Sequence, residues 1–163
     1  MKKTLLPLLL IFITSCATAN LTSNKASWYT KKISKTYVIA NTAEQAETFT
    51  RALCKELLFL FEDNSIESDF EIRNPLSLDS EQDVEDRIKE FNPDQLILIK
   101  QTSLHSTNGL VDGGKFEISI IEKENKKVVW KGLLDVYGQF GMEMSIKQSL
   151  KKLTEKLQQD GLL

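Results

Sequence analysis

The chain has 163 residues, with 21 Lys and Arg against 23 Asp and Glu, one His, two Cys and a formal net charge of −2 at pH 7. That length suits one domain with a sizeable core. The mild acidity leaves no global field to draw in a polyanion, so nucleic acid is not an expected partner.

Residues 1–15 are read apart from the fold. Lys2 and Lys3 give a short basic start, and Leu5 to Ile13 is an apolar run broken only by Pro7. The run is too short for the roughly 20 apolar residues of a spanning helix and has the layout of a secretory signal peptide. Next comes Ile13-Thr14-Ser15-Cys16, a branched apolar residue, two small residues and then Cys. This tetrapeptide resembles the lipobox of bacterial lipoproteins. The resemblance implies cleavage after Ser15, a diacylglycerol on the Cys16 thiol and an N-acyl chain on the new amine, with no other cofactor. It also implies the lipid bilayer as a partner, and Ala17 in place of Asp implies an outer-membrane, periplasm-facing anchor. The alternative is a plain signal peptide with an incidental Cys, or an anchor left uncleaved. Two or three acyl chains hold a protein far better than one, because each buried CH₂ contributes about 0.8 kcal/mol. Cleavage would leave 163 − 15 = 148 residues with a charge of 19 − 23 = −4. Cys54 would then be the one remaining thiol, so no intramolecular disulfide is expected in an oxidising compartment.

Residues 16–27 form the lipidated Cys and a short tether, since Ala17 to Ser27 is small and polar with no periodic apolar face. Eleven such residues reach at most about 36–40 Å. Trp28-Tyr29 ends the tether, either by packing on the domain, the favoured reading, or by sitting among lipid headgroups. The domain then occupies residues 28–163. Lys35 to Ala40 is the first expected strand. Asn41 and Thr42 are candidate N-caps for a helix whose apolar stripe is Ala46, Phe49, Leu53, Leu57 and Leu60, widened by Cys54, Leu58 and Phe61. Ser65 to Ile72 is a second strand ended by Asn74-Pro75. Val84, Ile88 and Phe91 mark a shorter helix that Asn92-Pro93 stops. Gln95 to Lys100 is apolar without alternation, as in a central strand covered on both faces. Phe116, Ile118 and Ile120 alternate with Glu117 and Ser119, a turn follows at Glu122 to Lys126, and Val128 to Tyr137 returns as a hairpin. Gly132 inside that return strand marks a bulge or the close approach of another backbone. Ile146, Leu150, Leu153 and Leu157 form a last helix stopped near Gly161.

The expectation is a single α/β domain with a mixed sheet of about five strands in the order β-α-β-α-β-β-β-α. The passages FNPDQLILIK, KKVVWKGLLDV and LKKLTEKLQQDGLL resemble a group of envelope domains with an anticodon-binding-like sandwich. Its members are the N-terminal domain of the Tol-system propeller protein, the curli secretion lipoprotein and the lipoprotein activators of penicillin-binding proteins.

Several patterns invite a chemical reading. Gly109 to Lys115 satisfies G-x-x-x-x-G-K, but Phe116 stands where a phosphate loop needs Ser or Thr at a helix start, so no nucleotide is expected. Asp79, Glu81, Asp83, Glu85 and Glu90 fall at calcium-loop offsets, yet Val84 occupies the glycine place, and the carboxylates read as caps of the second helix. His105 is the only histidine and has Ser103 and Ser106 beside it. Without a nucleophile elbow it reads as a solvated loop residue, so no enzyme is expected. Cys54 in the apolar stripe reads as a buried, unreactive thiol, and Trp130 as core. Lys147, Lys151, Lys152 and Lys156 line a solvated helix face, with a headgroup patch as the alternative.

These readings point to a non-catalytic envelope lipoprotein that binds an envelope protein partner. Its surfaces would be the 102–114 loop, a sheet edge and the final helix, represented by His105, Asp112 and Lys151. The alternatives are a carrier of a lipid or cell-wall ligand, with a pocket between sheet and helices, and an activator of an envelope enzyme.

Overall fold

The computed structural model describes residues 19–138 and 141–163; the expected signal segment, residues 1–15, and Cys16 lie outside the described residues. Six strands and three helices follow in the order β1 (Ala19–Lys25), β2 (Lys35–Asn41), α1 (Glu47–Asp63), β3 (Glu67–Arg73), α2 (Glu81–Phe91), β4 (Gln95–Thr107), β5 (Leu110–Glu122), β6 (Lys127–Val136) and α3 (Met142–Gln159). The strands form one mixed sheet in the order β1-β6-β5-β4-β2-β3. β2 runs parallel to β3 and β4, and every other pairing is antiparallel.

The topology places the helices. The step from β2 to β3 and the step from β3 back across β2 to β4 run in opposite directions along the sheet. Right-handed crossovers therefore put α1 and α2 on opposite faces. α1 and α3 cover one face, where Phe49, Leu53, Leu57 and Phe61 meet Val38, Ile99, Phe116, Ile118, Trp130 and Leu134. Phe49 stacks on Phe116 with ring centroids 5.8 Å apart. α2 covers only the β2 and β4 part of the other face, through Val84, Ile88 and Phe91 against Tyr37, Ile39, Leu96 and Leu98.

Four expectations need correction. The sheet has six strands rather than about five, because residues 19–25 of the expected tether form β1, which pairs along its whole length with β6. Its polar residues hid a strand that buries only Ala19 fully: an edge strand can be held by backbone hydrogen bonds and needs little apolar surface of its own. Thr42 is not a helix cap; its buried hydroxyl meets Thr50 Oγ1 at 2.9 Å and Gln101 Oε1 at 3.0 Å, and a single 3-10 turn over Glu44–Ala46 leads into α1. The 102–114 loop is instead the far half of a long β4–β5 hairpin. Asn108 and Gly109 turn it with φ of 53° and 79°, the two left-handed positions of a type I′ turn. Gly132 makes room for a side chain rather than for a backbone: a Cβ there would lie 2.4 Å from Cη2 of the Trp130 ring.

Other expectations hold. Ser80 and Asp83 form a reciprocal capping box at the start of α2, so these carboxylate-region residues serve the helix end. Asn92 closes α2 in the left-handed conformation. Cys54 is fully buried, and burial pushes its thiol up to about 12. The aromatic pair divides its roles: Tyr29 is 3% exposed and accepts from Gln95 Nε2, whereas Trp28 is 54% exposed, edge-on to Tyr29 and beneath the Lys127 ammonium.

Candidate functional site

The β4–β5 hairpin carries His105 and Asp112 together, since His105 pairs with Gly113. His105 is half-buried rather than a solvated loop residue. Its ring stacks on Tyr137 with centroids 4.9 Å apart and 13° between planes, and Nε2 lies 3.1 Å from Asp135 Oδ1. Tyr137 donates its hydroxyl to the other oxygen of Asp135 at 2.9 Å, and Lys115 Nζ stands 3.6 Å from the same oxygen. Burial works against the Asp135 charge, but His105, Tyr137 and Lys115 outweigh it and hold the carboxyl below its ordinary range. The same carboxylate raises the Tyr137 phenol. The hydrogen bond of His105 goes to Asp135, not to Ser103 or Ser106. The Ser103 hydroxyl is buried with no partner among the described residues. This arrangement fixes a histidine and a tyrosine at the end of the sheet, with the ring nitrogen of His105 directed to a carboxylate.

A second feature lies on the face that α2 leaves bare. An open groove of about 600 Å³ runs along β1 and β6, lined by Thr22, Asn24, Glu117, Val128, Lys131 and Leu133 among others. Val128 and Leu133 are exposed there, and Lys131 pairs with Glu117 across the strands at 2.8 Å. β1 borders the groove and is also an edge of the sheet. The opposite edge, β3, carries Glu67, Asp69, Glu71 and Arg73, while β1 has a single charge, Lys25. Charged side chains protect an edge against pairing with another chain, and β1 lacks that protection.

The remaining sequence candidates are dispersed. Lys151 lies on the exposed side of α3, apart from the hairpin. Gly109 to Lys115 is hairpin turn and strand, with no helix start to face a phosphate. No group of three His, Cys, Asp or Glu side chains suited to a metal ion occurs among the described residues. The space between the sheet and α1 and α3 is filled by Trp130, Phe49, Phe61, Phe116, Leu57 and Leu134, each less than 2% exposed. Asp135 and Tyr137 were not singled out in the sequence, although the expected strand Val128 to Tyr137 holds both at a spacing of two, which places them on one face.

No protein-family model matches the chain, and no curated protein matches its sequence. Two crystal structures of the PelC dodecamer from Paraburkholderia phytofirmans do match its fold. One, of a single-substitution variant, superposes with a TM-score of 0.55 at 13% identity, covering 83% of this chain and 96% of that chain. The other gives 0.52 at 12% identity, covering 83% and 95%. At these identities the likeness is one of fold.

Proposed function

We propose that the chain is a lipoprotein of the outer membrane, anchored through acylated Cys16 and facing the periplasm, that acts as a non-catalytic assembly factor. The protein it binds first is a further copy of itself. The observation that carries this reading is the edge strand β1, with Lys25 as its single charge, beside an open groove on the bare face of the sheet. An unprotected edge is a template for another chain, and PelC, which shares the fold, is a dodecamer. A filled core supports protein binding over the carriage of a ligand between sheet and helices.

The test is native mass spectrometry of the full-length product, extracted in detergent, with mass analysis of the peptide that begins at Cys16. A diacylglycerol and N-acyl mass on Cys16 together with one discrete oligomer is the expected result. Thr22→Lys, which places a charge on the exposed side of β1, should shift that oligomer towards monomer. A wild-type monomer at every concentration would overturn the self-assembly, and an unmodified Cys16 would overturn the anchor.

A further inference from the structure

We infer that the end of the sheet formed by the β4–β5 hairpin tip and the first turn of α3 lies in the lipid headgroup region, with Leu110, Leu104, Met142 and Met144 in contact with lipid beside the acyl chains of Cys16. The inference rests on the lipid-anchored reading above. It adds which part of the domain meets the bilayer.

The geometry comes from one row of the sheet. Ala19 pairs with Val136, Val136 with Gly114, and Gly114 with Leu104. The N-terminal end of β1 at Ala19 points to the same side as the hairpin tip, because β1 is antiparallel to β6 and β6 to β5. Cys16 precedes Ala19 by three residues, so its Cα can stand at most about 10–11 Å from the row. Leu110 stands four residues beyond Gly114 on β5 but, across the bulge at Asp112, opposite Thr107, three residues beyond Leu104 on β4, which puts it about 10–13 Å along the strand. The tip therefore reaches past the row as far as the anchor can, and lipid at Cys16 brings lipid to the tip. The long tether that the composition suggests would have let the domain stand clear; pairing of residues 19–25 removes it.

The side chains at this end suit that placement. Leu110 is 75% exposed and Leu104 40%, with Met142 and Met144 also exposed. The first turn of α3 is tied to the same end, where Ser145 Oγ donates to the Tyr137 carbonyl at 3.0 Å. Tyr137 offers an exposed ring with its hydroxyl held by Asp135, the amphipathic kind of side chain favoured at headgroup depth. Methionines adapt to an irregular apolar surface. The other end of the same strands is charged: the β5–β6 turn is Lys123-Glu124-Asn125-Lys126. The end beside the proposed anchor thus exposes Leu110, Leu104, Met142 and Met144, together with Glu143 and the half-buried Asp112, whereas the turn at the far end exposes no large apolar side chain.

The test uses the acylated full-length product reconstituted in phosphatidylethanolamine–phosphatidylglycerol vesicles. An environment-sensitive thiol dye is placed at Leu110→Cys or, as a control at the charged end, at Glu124→Cys; Cys54 is buried and Cys16 is occupied. The dye at 110 should shift to the blue and be quenched several-fold more strongly by spin-labelled lipid than the dye at 124. Equal quenching at the two positions with Cys16 acylated overturns the inference and leaves the anchor standing. A blue shift at 110 without lipid quenching means that protein covers the tip, and overturns it as well. Absence of the acyl mass on Cys16 overturns the anchor reading and this inference with it.

Discussion

Replacing Gly132 by Ala puts a methyl group where the Trp130 ring already lies. The added Cβ would stand 2.4 Å from Cη2, 2.8 Å from Cζ3 and 3.2 Å from Leu21 Cδ1. Carbon atoms pack at about 3.5–4.0 Å, so the ring must retreat by about 1 Å or more. It has little freedom to do so: Trp130 is among the largest fully buried side chains, and Nε1 donates to Asp160 Oδ2 at 2.7 Å. Overpacking a core costs about 1–3 kcal/mol. Breaking a hydrogen bond to a charged group adds about 1.5–3 kcal/mol, and the stiffer unfolded chain of the Ala variant offsets about 0.4–1 kcal/mol. The net loss is about 2–5 kcal/mol, a fall in melting temperature of roughly 5–15 °C for a domain of this size. Urea unfolding at a constant slope gives the measurement. Trp130→Phe removes the clashing ring atoms, so in that background Gly132→Ala should cost at least about 1 kcal/mol less. An Ala variant within about 0.5 kcal/mol of wild type, or one with the same cost in both backgrounds, would refute the account of Gly132 as the floor of the Trp130 ring.

Asp160 joins three elements, accepting from Trp130 Nε1 and from Ser23 Oγ, with Lys156 Nζ at 3.3 Å. Burial opposes its charge, but these partners outweigh burial and hold the carboxyl below its ordinary 3.8. A depressed folded pKa contributes stability that is present above the unfolded value and is lost as pH falls through the folded one. Asp160→Asn should therefore be less stable than wild type at neutral pH by about 1.5–3 kcal/mol. The gap should close in acid, below the folded pKa of Asp160; an equal gap at neutral and acid pH would remove the charge from the explanation. Cys54, with its thiol pushed up to about 12 by burial, should take up iodoacetamide only after unfolding, as read by intact mass with and without urea. Modification of the folded protein at the rate of a free thiol would contradict its place in the core.

The helices were legible because each carries its apolar stripe in its own sequence: Phe49, Leu53, Leu57 and Phe61 on α1, and Ile146, Leu153 and Leu157 on α3, are all buried as their spacing requires. The central strands were legible for the same reason. β1 was not, because nothing local marks Asn20, Thr22 or Asn24 as extended, and the pairing partner is more than a hundred residues away in β6. The outer half of the hairpin was missed although Asn108-Gly109 is a strong two-residue turn signal, since the residues around it do not alternate cleanly and the ladder is broken by register shifts after Gln101 and His105. His105 and Asp112 were picked out, and the structure sets them on facing arms of that hairpin. What the sequence could not show was the partner of His105. Asp135 is thirty residues away and reaches the ring only because β4, β5 and β6 lie side by side.

The membrane contact and the free edge constrain one another. If Cys16 is acylated and the hairpin end lies at the bilayer, as proposed, the strands point towards the membrane and the edges β1 and β3 face sideways, towards any neighbouring copies. Anchoring gives every copy the same side up, so any symmetry axis relating copies must lie along the membrane normal. Antiparallel pairing of β1 with β1 of a second copy requires a two-fold axis perpendicular to the strands. That operation would turn one hairpin tip away from the membrane and pull its Cys16 out of the lipid. In the proposed self-assembly the β1 edge would then meet a different surface on the next copy, and repeated contacts of that head-to-tail kind close into a ring when the rotation allows. The bare groove beside β1, with Val128 and Leu133 exposed and Lys131 and Glu117 at its rim, lies next to that edge and extends the surface such a contact would use. An acylated Cys16, as proposed, would therefore do more than hold the protein at the membrane: it would disfavour the closed two-fold dimer that an unprotected antiparallel edge could otherwise form.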